Sequence, residues 1–278
     1  MKLGKKARKA IIAVACILVF ILLACFYMGF GAQTVPAQRS LTGLFDKEYH
    51  LTAHRGLSSV APENTAPAIE AAGKAGFYAV EFDIMPTKDG VWILNHNDTV
   101  DHMTDGEGEV SAFTYDEICS LTVDNGNGIE NYPDLTFTTF EHALTLCAQY
   151  GMRAMVEVKG GTPEDMASML EVLKASPAYE NALIIDFNRE RIEKVRELDR
   201  DTELWYLLNH ITEEDIAFAE NSNMGLAFNF GNADNYKMLK AAKEKNITLA
   251  AWTVDFPPAM DFLSMFGVNY ITTNKIVP

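Results

Sequence analysis

The sequence predicts an α/β fold of the TIM (β/α)8 type, preceded by an N-terminal transmembrane helix. Three observations predict it. Between residues 50 and 278, eight short β-branched or aromatic runs alternate with helical stretches. That span, about 230 residues of even apolar content without a low-complexity stretch or linker, fits one large domain. Two histidines, three carboxylates, an arginine and a lysine fall on or at the ends of predicted strands, where barrels of this type place their chemistry.

The chain opens on a basic flank, residues 1–9, which holds Lys2, Lys5, Lys6, Arg8 and Lys9 and no acid. An apolar run follows from Ala10 to about Phe30. At ~1.5 Å per residue it spans a ~30 Å hydrocarbon core, so residues 10–31 are expected to be a membrane anchor. The basic flank precedes the run, which places the N-terminus in the cytoplasm and everything after the run outside the cell membrane. Two rival readings share that orientation. Val35-Pro36-Ala37 is a tolerable signal-peptide cleavage site, although the run is longer than such a core of ~7–15 residues. Leu22-Leu23-Ala24-Cys25 resembles a lipobox, although Phe26-Tyr27-Met28 continues the apolar run. Residues 32–49 read as a tether.

The formal net charge is −15, and without the five basic residues of the flank the remainder carries −20. A surface that acidic excludes nucleic acid as a partner, because backbone binding relies on Lys and Arg. Of four cysteines, Cys16 and Cys25 lie in the apolar run. Cys119 and Cys147 alone make no disulfide scaffold and read as small packed side chains.

Taken in order, the expected barrel strands are 51–54, 79–84, 154–158, 183–187, 203–208, 225–229, 248–253 and 269–273. Helices are expected near 65–75, 139–150, 163–174, 189–198, 213–221, 234–245 and 257–266. An extra run, Val91 to Asn95, follows the second strand after only Pro86-Thr87-Lys88-Asp89-Gly90. That gap is too short for a parallel crossover, so the run folds back as a hairpin with Asp89-Gly90 in the turn. Residues 99–134, rich in glycine and with one short helix near 114–121, are expected to form an excursion above the barrel mouth. No helix is expected after the eighth strand.

The first strand ends in His54-Arg55-Gly56. The second carries Glu81-Phe82-Asp83, whose period of two turns both carboxylates to one face. The hairpin strand ends in His96-Asn97-Asp98, and the third barrel strand carries Glu157-Val158-Lys159. Charges directed into a barrel are costly unless paired or metal-bound. Together these groups suit displacement at phosphorus. Three carboxylates offer hard oxygen ligands to Ca²⁺ or Mg²⁺, two cations can neutralise a phosphoryl group, and two imidazoles can move protons.

The order and spacing of His54-Arg55-Gly56, Pro62-Glu63-Asn64-Thr65, Glu81-Phe82-Asp83, His96-Asn97-Asp98-Thr99, Glu157-Val158-Lys159 and Trp252-Thr253-Val254 resemble the glycerophosphodiester phosphodiesterase family from about residue 50 to 278. The stretch Thr104-Asp105-Gly106-Glu107-Gly108 is similar too. The resemblance implies a phosphodiesterase-like barrel and metal-dependent hydrolysis of glycerophosphodiesters to an alcohol and glycerol phosphate. It implies Glu81, Asp83 and Glu157 as metal ligands, with Glu63 a further candidate. His54 and His96 are then the acid–base pair, Arg55 and Lys159 the phosphate binders, and Trp252 a residue on the substrate side. Pro62-Glu63-Asn64-Thr65 also reads as a helix start with Asn64 or Thr65 as cap. Four positions depart from the family's usual residues. Asp255 stands where Asn is common, Asn274 where Asp is common, Asp186 where Ser is common, and His102 where Arg is common. These departures bear on the alcohol group rather than on the reaction.

Two further functions are compatible with the chain. One is a lysophospholipase D-type enzyme acting on lipid, marked by an apolar rim for which Phe113, Tyr115, Ile129 and Tyr132 are candidates, although core packing accounts for them equally. The other is a non-catalytic, phosphodiester-binding envelope protein, which would lack a histidine or a carboxylate of the set. A glycosidase barrel built on paired carboxylates needs neither the two cations nor the two imidazoles.

Overall fold

A computed structural model describes residues 34–36 and 49–278. The expected basic flank, the expected anchor and most of the tether lie outside the described residues. Among the described residues, no helix is long and apolar enough to cross a membrane.

Eight parallel strands close into a barrel: β2 (His50–Ala53), β3 (Ala79–Pro86), β5 (Arg153–Val158), β6 (Ala182–Asp186), β7 (Glu203–Leu208), β8 (Gly225–Asn229), β9 (Leu249–Trp252) and β10 (Tyr270–Thr273). Closure is made by β2, which pairs with β3 on one side and β10 on the other. The remaining strands are β1 (Val35–Pro36), β4 (Trp92–Leu94) and β11 (Ile276–Val277). The β4 strand runs antiparallel to the end of β3, with Ile84 opposite Leu94, and Gly90 supplies the positive φ of 81° in the turn. The hairpin is therefore as expected. A feature not expected is in the tether: β1 pairs parallel with β11, Val35 opposite Ile276.

Helices α1 (Ala66–Ala75), α3 (Phe140–Tyr150), α4 (Met166–Ala175), α5 (Arg189–Leu198), α6 (Glu213–Asn221), α7 (Asn235–Glu244) and α8 (Pro257–Met265) connect successive barrel strands; the short α2 (Tyr115–Ile118) lies in the 99–134 excursion. Their starts follow local chemistry. Thr65, Thr139, Asn188 and Thr212 cap α1, α3, α5 and α6 by accepting a backbone N–H into the side chain. Strand alternation divides the apolar residues into two sets. Outward residues such as Val80, Phe82, Ile84, Val156, Ile184, Leu226 and Ile271 pack beneath the helices. Inward residues Met155, Leu183, Ile185, Trp205, Leu207, Ala227 and Ala250 fill the barrel. The ring of Trp205 meets Tyr270 edge-on at 4.7 Å and plugs the barrel's lower part. Gly225 leaves room for that indole, since a Cβ there would lie 2.3 Å from Trp205 Cδ1.

The excursion carries its own small core. Met85, Ile93, Val100, Val110, Ile118 and Phe137 cluster beside the hairpin, with Phe113 and Tyr115 packed on them. Neither aromatic is free to form the apolar rim expected of a lipid-facing mouth; both are committed to this core. Cys119 and Cys147 are unbridged, and Cys147 is buried.

At the end of α5, Asp199 is nearly buried and ties the turn into β7. It accepts from Thr202 Oγ1 and Tyr179 Oη, both at 2.8 Å, and from the Asp201 N–H at 2.9 Å. Lys174 Nζ lies 2.9 Å from the same carboxylate. Burial alone would push this carboxyl up, but the ammonium and the hydrogen bonds overcome it and hold it well below the ordinary range. A depressed folded-state pKa contributes stability above the unfolded value of ~3.9, and that contribution is lost as pH falls towards the folded value. Asp199→Asn is expected to cost about 2 kcal/mol near neutral pH. In urea melts, the gap from the unaltered protein should shrink steadily below about pH 4; a gap that is constant with pH would contradict this account.

Candidate active site

Parallel register assembles the acidic centre. Asp83 on β3 lies opposite Glu157 on β5, and Glu81 precedes Asp83 by two residues on the same inward face. All three are buried, and one oxygen of each lies within 4.8 Å of the others. Three like charges so placed disfavour one another. Burial first, then Asp83 and Glu157, raises the Glu81 carboxyl well above its ordinary range; burial and Asp83 push Glu157 up to about 7. Cations answer part of this charge. Lys159 Nζ lies 2.6 Å from Glu157 and 3.6 Å from Asp83, and Arg55 Nε lies 3.5 Å from Asp83. Glu81 Oε1 and Asp83 Oδ1 are buried yet accept no hydrogen bond. Orphaned hard oxygens in a buried acidic triad fit a divalent cation.

The turn after β2 presents two more groups. Arg55 takes a positive φ of 56°, and its N–H donates to Glu81 Oε2 at 2.8 Å. Gly56 follows at φ 76°, pressed on α1 so closely that a Cβ would meet Ala68 Cβ at 2.5 Å. His54 Nε2 approaches Glu81 at 3.9 Å, while its Nδ1 pairs with Asn274 Oδ1 at 2.7 Å.

The Pro62-Glu63-Asn64-Thr65 stretch divides its labour in a way the sequence only partly showed. Thr65 is the helix cap. Asn64 is instead a clamp: its Nδ2 donates to Asp83 Oδ2 at 2.8 Å, and its Oδ1 accepts the Asp83 N–H at 3.0 Å. Glu63 stands outside the triad, accepting from Arg55 Nη1 at 2.9 Å. There it orients the guanidinium, beside the triad rather than within it.

His54, Arg55, Glu81, His96, Glu157, Lys159 and Trp252, seven of the eight principal candidates, line one cavity of about 180 Å³ at the C-terminal ends of the strands, together with Phe187. Asp83 lies behind them, within the triad. Met155, Ile185, Leu207, Ala227 and Ala250 make its apolar floor. His96 enters from the hairpin, with Nδ1 2.8 Å from Asn97 Oδ1. Trp252 stacks edge-on with Phe187 at 5.7 Å, and its Nε1 is a buried donor without a partner. Burial is the largest influence on both imidazoles and lowers them below the ordinary range; the Arg55 charge acts in the same direction.

Two supporting groups escaped the sequence reading of the chemistry. Arg191 grips Asp186 through Nε and Nη2, at 2.7 and 2.8 Å, and donates to the Val158 carbonyl at 2.9 Å. That bond braces β5 between Glu157 and Lys159. Asp255 and Asn274, noted separately as departures, are hydrogen-bonded to each other at 2.7 Å and stand behind His54. Their contacts are with an imidazole. His102 is half-exposed beside Glu63 at 4.0 Å.

Fold and site define a (β/α)8 barrel with an acidic and cationic centre at its mouth. The chain belongs to the glycerophosphoryl diester phosphodiesterase family, whose profile matches residues 54–277. It is 34% identical over 174 residues to glycerophosphodiester phosphodiesterase 1 of Mus musculus, covering 62% of this chain and 53% of the mouse protein. The chain thus spans about half the length of the mammalian relatives it matches. A glycerophosphodiester phosphodiesterase of Caldanaerobacter subterraneus is 27% identical, covering 80% of this chain and 92% of its own. Among solved structures, an Oleispira antarctica phosphodiesterase in complex with the product sn-glycerol-3-phosphate superposes with a TM-score of 0.75 at 25% identity, covering 84% of this chain and 95% of that one.

Asn64→Gly tests the clamp without backbone strain, because glycine accepts the φ of 56° found there. Loss of both bonds to Asp83 is expected to weaken Ca²⁺ or Mg²⁺ binding roughly 10–100-fold by titration calorimetry. Unchanged affinity would show that Asn64 does not position Asp83.

Proposed function

We propose that the protein hydrolyses glycerophosphodiesters to an alcohol and glycerol phosphate. The observation that carries this reading is the convergence of two imidazoles, two cations and a buried acidic triad on one cavity at the strand ends. The product held by the Oleispira antarctica relative supports glycerol phosphate as the shared part of the substrate. Cavity size supports it too: about 180 Å³ falls below the ~300–1,000 Å³ typical of larger ligands and suits a phosphate with a small carbon unit.

Arg55 and Lys159 face the phosphoryl oxygens and offset their charge, with Glu63 fixing the Arg55 plane. His54 and His96, entering from two different strands, are the proton-transfer pair, one to take a proton from the nucleophile and one to give a proton to the leaving alkoxide. Trp252 contributes a ring wall and an unpaired N–H on the substrate side. Glu81, Asp83 and Glu157 would hold the divalent cation, which supplies Lewis-acid polarisation of phosphoryl oxygen.

A membrane-facing role is favoured by β1. Its partner β11 begins two residues beyond Asn274, which contacts His54, so the chain at residue 34 leaves the barrel on its mouth side. An anchor over 10–31 would hold the mouth within roughly 15 Å of the membrane at ~3.5 Å per extended residue. In this reading the protein is single-pass, with its N-terminus cytoplasmic and the barrel outside, and lipid-derived diesters are within reach.

The full chain, purified in detergent, should release glycerol phosphate from glycerophosphocholine or glycerophosphoethanolamine. Chelator should abolish release, and Ca²⁺ or Mg²⁺ should restore it. His54→Ala and His96→Ala should each lower kcat by about 100-fold or more. Activity that survives both chelation and His54→Ala overturns the mechanism. Turnover of lysophosphatidylcholine alone selects the lipid enzyme, and no turnover with any divalent ion selects the non-catalytic binding protein. Separately, deletion of residues 1–33 should move the protein from carbonate-washed membranes to the soluble fraction. A full chain already soluble after the wash rules out the anchor.

A further inference from the structure

Behind His54 lies a chain of hydrogen bonds whose directions are all determined. Asp255 is a carboxylate and can only accept. Its Oδ1 takes the Thr273 hydroxyl and the Asn274 backbone N–H, each at 2.7 Å. Its Oδ2 takes the Asn274 side chain at 2.7 Å, so the end of that amide facing Asp255 must be the NH2 group. The other end, Oδ1, is then an acceptor and faces His54 Nδ1 at 2.7 Å. An acceptor opposite Nδ1 demands a proton on Nδ1. The neutral imidazole therefore carries its lone pair on Nε2, the nitrogen that points into the cavity, 3.9 Å from Glu81.

We propose that Asp255 and Asn274 are positioning residues that select this tautomer of His54, the carboxylate acting through the amide. The inference rests on the reading of His54 as a proton-transfer group, but the tautomer can be observed whether or not a glycerophosphodiester is the substrate. Asp255 fixes the amide, the amide fixes the proton on Nδ1, and Nε2 is left ready to accept. The residues at 255 and 274 thus form one hydrogen-bonded unit, which an exchange of its carboxylate and amide can probe.

The exchange generates a sharp test. In Asp255→Asn, the new Oδ1 can keep the Thr273 hydroxyl and Asn274 N–H, while the new NH2 occupies the position of Oδ2. Both ends of the contact would then be donors, so the Asn274 amide must turn over. It would offer NH2 to His54 Nδ1 and drive the proton to Nε2. Adding Asn274→Asp restores acceptance on both sides: one oxygen of the new carboxylate takes the amide NH2 introduced at position 255, and the other takes His54 Nδ1–H. Long-range ¹H–¹⁵N spectra of the full chain, ¹⁵N-labelled at histidine and with His54 assigned by its loss in His54→Gln, read the tautomer directly. We expect Nδ1–H in the unaltered protein, Nε2–H in Asp255→Asn and Nδ1–H again in the double exchange. Turnover of glycerophosphocholine should follow, with kcat about 100-fold lower in the single variant, KM within a few-fold, and kcat largely recovered in the double. An Nδ1–H signal in Asp255→Asn overturns the proposal. So does a folded double variant, judged by its thermal melt, whose tautomer stays inverted. If the spectra behave as expected and no diester is turned over, the tautomer selection stands and the reading of the reaction falls.

Discussion

Buried like charge governs this structure. Glu81, Asp83 and Glu157 bring three carboxylates within 4.8 Å of one another in a barrel interior, where a lone charge costs several kcal/mol and neighbours of the same sign add to it. The surroundings answer that cost residue by residue. Asp83 is the hub: Asn64 clamps it from both ends of one amide, Arg55 approaches one carboxylate oxygen and Lys159 the other, and Glu157 stands beside it in register. The hairpin, the positive-φ turn at Arg55 and the capped start of α1 all deliver groups to this point. Glu81 Oε1 and Asp83 Oδ1 remain without a hydrogen bond, and two carboxyls are pushed upward. A divalent cation relieves both conditions at once, which is why the centre is read as built around one.

The barrel also divides its mouth by strand. Polar groups come from β2, β3, β5 and the hairpin, whereas β6 to β9 contribute Ile185, Leu207, Ala227, Ala250 and Trp252. Lower down, Trp205 and Tyr270 close the interior, so the space left open is short and lies at the strand ends. A charged wall facing an apolar wall across 180 Å³ matches a ligand that is anionic at one end and carbon at the other. Arg191 serves the charged wall from outside, because its bond to the Val158 carbonyl holds the backbone between Glu157 and Lys159.

Much of this was legible in the sequence, for reasons that can be named. The strands were visible because alternation and β-branching persist in each, and the hairpin because five residues cannot make a parallel crossover. Glu81 and Asp83 declared a shared face by their period of two. What stayed hidden were partnerships across long separations. Asn64 looked like a cap because cap and clamp use the same short amide, and only the fold brings Asp83 to it. The pairing of Glu63 with Arg55 was not visible because an acid in such a motif carries no sign of the arginine it will meet. Phe113 and Tyr115 read equally as rim or core because a small core beside a hairpin has no periodicity of its own. The pairing of β1 with β11 had no signal at all in two-residue strands.

Asp255 and Asn274 show the same limit most clearly, and also why the limit matters. Read singly, each was an unusual residue near the mouth; read together in space, they form one unit with His54. A carboxylate set directly against His54 would add negative charge beside Glu81, where the triad already strains against itself. An amide in that position transmits direction without charge, and the carboxylate that orients the amide stands one residue further back. The arrangement thus separates two properties that a direct carboxylate–imidazole pair combines, the choice of tautomer and the delivery of charge.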